Sequence, residues 1–165
     1  MANSRYNRYR GDEYREDFYL DEFNCGSYAL GTEEWFSPYD DDEVREDEVL
    51  SLIDAGYTKD EVMDILLEHD TKEILRLCEW IEEVEYNGQP EEGLIAYRVY
   101  VNDEAFEDEY FDLDFHFRVF KNGRWHEKCG AGPIERCRQK DIFSTWIGNC
   151  DICYTGPIRF FRVKQ

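Results

Sequence analysis

Apolar positions change their rhythm once along this chain. Between residues 43 and 85 they recur at helical spacing, and from residue 94 onward they alternate. Val49, Leu52 and Ile53 share one helix face, and Gly56 stops that helix. Thr58 and Glu61 have the spacing of a capping box ahead of Val62, Ile65 and Leu66. Asp70 or Thr71 is placed to cap a third helix, striped by Ile74, Leu77, Cys78 and Ile81. Upstream, Asn24 is a good N-cap and Gly31 a good stop for a short helix beginning at Cys25. The acids Asp40, Asp41, Asp42 and Glu43 suit a helix start, where the macrodipole favours negative charge.

The second half reads as strands. Leu94 to Val101 and Leu113 to Phe120 are two of them, and Ile158 to Val163 is the last, entered through Gly156-Pro157. Asn122-Gly123 is a strong two-residue hairpin signal, so Arg124 to Lys128 returns antiparallel. Helices followed by antiparallel strands predict an α+β fold. The expectation is an N-terminal helix and a three-helix segment (43–85), followed by an antiparallel sheet (94–165) with a tight hairpin at Asn122-Gly123. Residues 23–165 form one domain on this reading. Residues 1–22, where arginines, tyrosines and acids interleave, form a partly ordered arm.

The hairpin fixes which side chains share a face. With Asn122 and Gly123 in the turn, residue 120 opposes 125, 118 opposes 127 and 116 opposes 129. Leu113, Phe115, Phe117 and Val119 then point to the core. Asp114, His116, Arg118 and Phe120 point the other way, which turns His116 toward a polar surface or cleft. Arg118 and Glu127 make a cross-strand ion pair of modest value.

Composition narrows the class. The 165 residues are 42% hydrophobic and 16% aromatic, enough to fill a core. No run approaches the roughly 18 to 20 apolar residues of a membrane helix, and the N-terminus lacks the apolar segment of a signal peptide. A soluble, cytoplasmic protein with no membrane partner is expected. Residues 1–114 hold 35 acids against 9 bases, whereas residues 115–165 hold 4 against 10. Such an acidic envelope repels phosphate, so direct nucleic-acid binding is not expected. The same charge could mimic nucleic acid and occupy a basic protein surface. No phosphate-binding glycine loop is present, and the contiguous acids at 40–42 do not space like a calcium loop.

Two chemistries are open to the cysteines. Cys25 begins a helix, and His116 lies off the core face, a pairing of residue types that can make a thiol nucleophile with its base. Cys150 and Cys153 have knuckle spacing, and a zinc site could be completed by Cys129 and Cys137 as four thiolates, or by Cys129 with His116, which it opposes in register.

Family resemblance favours the first. The segment Asn24-Cys25-Gly26-Ser27-Tyr28-Ala29-Leu30-Gly31 resembles the start of papain-like and NlpC/P60-like cysteine peptidase domains of bacteria and phages. Asp114-Phe115-His116-Phe117, with Gly123-Arg124-Trp125 and Lys128-Cys129-Gly130, is similar to their histidine strand and following hairpin. The resemblance implies Cys25 as nucleophile, His116 as base, and a peptide or peptidoglycan-stem amide as substrate, in a bacterial, phage or mobile-element setting. The orienting third residue stays open among Asp114, Glu127, Asp141 and Asn149. A separate likeness, around Ala55-Gly56-Tyr57, is to ubiquitin-associated three-helix domains, although small-bundle packing gives the same rhythm. Two functions follow: a thiol hydrolase (peptidase or amidase) or a derivative of one, and a non-enzymatic acidic protein that binds a basic partner such as a defence nuclease.

Overall fold

The computed structural model describes residues 24–32, 34–107, 110–130, 132–148 and 152–165. Its elements run α1 (Cys25–Leu30), α2 (Asp42–Asp54), α3 (Lys59–Leu77), β1 (Ile81–Val84), β2 (Ile95–Val101), β3 (Leu113–Lys121), β4 (Arg124–Lys128), β5 (Ile134–Arg136), β6 (Trp146–Ile147), β7 (Cys153–Tyr154) and β8 (Arg159–Val163). The fold is α+β. Six strands form one antiparallel sheet in the order β1-β8-β2-β3-β4-β5, and β6 pairs with β7 in a separate ribbon. Among the described residues no helix is long and apolar enough to cross a membrane.

Local chemistry sets most boundaries. The Asp41 carboxylate accepts the Glu43 N–H at 2.8 Å and opens α2. The Thr58 hydroxyl and the Glu61 carboxylate cap each other's backbone N–H and open α3. Asn122 and Gly123 both take positive φ, 52° and 76°, so the strands they join keep their twist through a tight turn. The resulting register pairs Arg118 with Glu127, Val119 with His126 and Phe120 with Trp125.

The expected three-helix segment has only two helices. α3 runs through Asp70 and Thr71 without a break, because neither side chain caps anything. The Thr71 hydroxyl donates to the Leu67 carbonyl one turn back, a bond compatible with a continuing helix. The Asp70 carboxylate leaves the helix altogether and accepts from Arg45 on α2 and the Tyr97 hydroxyl on β2, each at 2.6 Å. Residues 81–84, read as the end of a helical stripe, are the edge strand β1 against β8. The likeness to a three-helix ubiquitin-associated unit fails with the third helix.

Both faces of the sheet are covered. On one face α1, α2 and α3 enclose an apolar core that includes Tyr97, Val99, Phe117, Val119 and Phe161. On the other face Leu94, Ala96, Trp125 and Phe160 pack under Ile142, Trp146 and Tyr154. What holds that second cover down is Arg98. Its buried guanidinium donates to the carbonyls of Phe143, Ser144, Tyr154 and Gly156 at 2.7 to 3.3 Å. The Trp146 ring lies between two guanidinium groups, 4.9 Å from that of Arg98 and 4.7 Å from that of Arg118. His116 therefore does not face an open polar surface. It is 4% exposed, stacked on Tyr154 at 5.4 Å with Trp146 at its edge.

Candidate active site

β3 is longer than the strand beside it, and that difference makes room for a site. Pairing with β4 covers residues 118–121, while β3 extends back to Leu113. The start of α1 comes to this uncovered stretch and packs on β3 and β4. Cys25 is the first residue of α1. Its position follows from Asn24, whose side-chain oxygen accepts the Ser27 N–H at 2.9 Å while the Ser27 hydroxyl accepts the Asn24 N–H at 2.7 Å. The same Asn24 amide grips Phe36 through its carbonyl (2.6 Å) and its N–H (3.1 Å). Gly26 lets the helix lie flush, since a Cβ there would sit 2.8 Å from Phe36 and 3.2 Å from Phe117. These contacts fix the start of α1 and with it the Cys25 backbone.

Cys25 and His116 line one recess of about 240 Å³, with Asn24, Trp35, Asp114, Cys129 and Tyr154 among its walls. The His116 Nε2 lies 3.3 Å from a carboxylate oxygen of Glu127, and the Arg118 Nε donates to that same oxygen at 2.6 Å. With Nε2 committed to Glu127, Nδ1 is the ring nitrogen left for a thiol. Both Cys25 and Cys129 are close enough to act on the ring as hydrogen-bonding partners. Burial alone would drive the imidazole toward its neutral form. Attraction to Cys25 and hydrogen bonds that Cys129, Cys25 and Glu127 accept from the ring outweigh it and raise the affinity of His116 for a proton. Burial likewise opposes charge on Glu127, yet His116 and Arg118 hold that carboxyl down to about 2.

Of the four residues open to the orienting role, Glu127 is the one bonded to the imidazole. Asp114 also lines the recess, but it accepts from the Tyr154 hydroxyl at 2.9 Å, and burial raises its own affinity for a proton. Asp141 caps the Phe143 N–H at 3.0 Å, and Asn149 lies outside the described residues. The signal for Glu127 was present in the register. Residue 127 opposes 118 and so sits diagonally across from 116, within reach of a long side chain. Arg118–Glu127 is not the modest surface pair expected from sequence, since its two side chains are 4% and 11% exposed. Tyr154 and Trp35 also line the site, and nothing in the spacing of either pointed there.

Metal-ligating groups gather at the same place. Among the described residues one set of His, Cys, Asp and Glu ligand atoms falls within 4.8 Å of one another, and it is His116, Glu127 and Cys129. Cys153 is exposed on β7 and is not in that set, while Cys150 lies outside the described residues. Cys78 and Cys137 are buried thiols whose pKa burial pushes up to about 12, which keeps them neutral.

No protein-family model matches the chain, and neither a curated protein nor a solved structure is similar to it.

Proposed function

We propose that the protein is a thiol hydrolase of the papain-like type, acting on an amide with Cys25 as nucleophile and His116 as base. The observation that carries this reading is one buried imidazole that shares a recess with the Cys25 thiol and is hydrogen-bonded to the Glu127 carboxylate. His116 Nδ1 takes the thiol proton, and the Cys25 sulfur attacks the carbonyl carbon. The imidazolium returns that proton to the leaving amine as the carbon–nitrogen bond breaks, and water then releases the acyl group from sulfur. Glu127 is a positioning residue: it holds the ring and is itself held by Arg118. The resemblance of the segments around Cys25 and His116 to papain-like and NlpC/P60-like domains supports the same assignment.

Selective alkylation tests it. Iodoacetamide should modify Cys25 ahead of the other five cysteines, and His116→Ala should slow that reaction by about 100-fold or more. Cys25→Ala should abolish hydrolysis of peptide amides while leaving the fold intact. Equal labelling of all accessible thiols, unchanged in His116→Ala, would remove the basis for catalysis.

A second reading has its own observation. A groove of about 940 Å³ adjoins the recess, sharing Trp35, Asp114 and Phe115 with it. Its walls include Asp40, Asp41, Asp42, Glu43 and Asp112, and Arg45, the one arginine among its described walls, is bonded to Asp70. This charge suits a basic partner, whether substrate or ligand. Binding of an arginine-rich peptide to Cys25→Ala protein, weakened by salt and by neutralising residues 40–42 to Asn, would favour it. Salt-insensitive or absent binding would count against it.

A further inference from the structure

Glu127 spreads its two oxygens over several neighbours, the Cys137 thiol among them. One oxygen receives both His116 and Arg118, while the other faces the Cys129 sulfur at 4.0 Å. A thiol, an imidazole and a carboxylate within 4.8 Å of one another are a sulfur, nitrogen and oxygen donor set, the mixture that zinc accepts.

We propose that this recess binds one zinc ion through the Cys129 thiolate, an imidazole nitrogen of His116 and the second oxygen of Glu127. Tetrahedral zinc with ordinary bond lengths sets its donors about 3.4 to 3.6 Å apart. The 4.0 Å gap between Cys129 and Glu127 thus needs to close by about half an ångström, and the remaining pairs, all within 4.8 Å, by at most about 1.5 Å, which side-chain rotation supplies. Arg118 remains on the other carboxylate oxygen and fixes the ligand's orientation, the usual service of an outer partner. Cys129 is half-buried and lines the recess, which gives the ion a way in and leaves its fourth position open to water. The site does not depend on the hydrolase reading and competes with it, because a metal on His116 interferes with its service to Cys25.

The test is metal binding by the whole chain, read without any substrate. Chelator-stripped protein should take up one equivalent of zinc by elemental analysis. Cobalt in its place should give the thiolate charge-transfer band and the visible spectrum of a tetrahedral site. Cys129→Ser should lose that band and weaken zinc binding by more than about tenfold, with circular dichroism confirming that the fold survives. Cys25→Ala and Cys153→Ser should each keep full zinc binding. Less than half an equivalent in wild-type protein, or a cobalt band that survives Cys129→Ser, would overturn the proposal. So would loss of binding in either control, which would move the metal to other ligands. Hydrolysis lost in Cys25→Ala with zinc retained separates the two sites' fates. If hydrolysis is never detected, the zinc result stands by itself.

Discussion

Each side of the sheet buries an arginine against a carboxylate, and the two pairs behave oppositely. Under the helices Arg45 meets Asp70 at 2.6 Å, and under the loop cover Arg118 meets Glu127 at 2.6 Å. Yet burial outweighs the help of Arg45 and raises the affinity of Asp70 for a proton, whereas Glu127 is held down to about 2. Distance cannot explain the contrast. Asp70 is 1% exposed with a neutral phenol, Tyr97, as its second donor, while Glu127 is 8% exposed and has His116 as a second cation. Asp70 therefore ties helices to sheet at some electrostatic cost. Glu127 is overcompensated, and that excess attraction orients an imidazole. Structural and chemical uses of one pair type differ in what the third partner is.

Asp70→Leu should have the largest effect. It leaves Arg45 buried without its counterion and the Tyr97 hydroxyl without an acceptor, and should cost about 4 kcal/mol in urea unfolding. Glu127→Gln should cost about 3 kcal/mol for the same reason on the other face, and should also slow any hydrolysis that His116 supports. Replacing both partners, Arg118→Met with Glu127→Leu, should restore most of the stability but none of the activity. If the double variant hydrolyses amides normally, Glu127 does not position His116.

Acid should separate the two faces more finely. In metal-free protein the Glu127 pKa falls from 4.5 in the unfolded chain to about 2 when folded. Its contribution is present above about pH 4.5 and is lost as pH falls toward 2, an amount of about 3 kcal/mol. Asp70 has the opposite sign, since a raised folded pKa favours the folded state as it protonates. Unfolding curves between pH 5 and 2 should therefore be flatter for Glu127→Gln than for wild type. An identical acid limb in both would show that Glu127 is not held ionised. The smallest effect belongs to the sheet edge. Arg162→Ala, which removes a half-exposed pair with Glu82 at 2.9 Å, should leave the urea midpoint almost unmoved.

The helical face and the hairpin were legible because repetition encodes them. Alternation from Leu113 to Val119 and the turn at Asn122-Gly123 suffice to turn Phe117 inward and His116 away. Asp70 misled because a buried tertiary acceptor and a helix cap look alike in sequence. The loop cover was illegible for a different reason. Its strands β6 and β7 have two residues each, too short to show a period, and Arg98 holds the cover through backbone carbonyls rather than through any residue type. Cys25 and His116 could be singled out by position, but the buried environment that Tyr154 and Trp146 give His116 could not.

Arg98 has one more implication, for how this molecule can change. Every residue offers a carbonyl, so a clasp that grips carbonyls at 143, 144, 154 and 156 is indifferent to the side chains it carries. Outward-facing positions such as Phe143, 57% exposed, can be exchanged without loosening it. The clasp itself tolerates no such freedom, because lysine lacks the planar fork that reaches several acceptors at once. One arginine thus leaves the loop beside the recess free to vary, and changes to what approaches Cys25 need not rebuild the sheet beneath it.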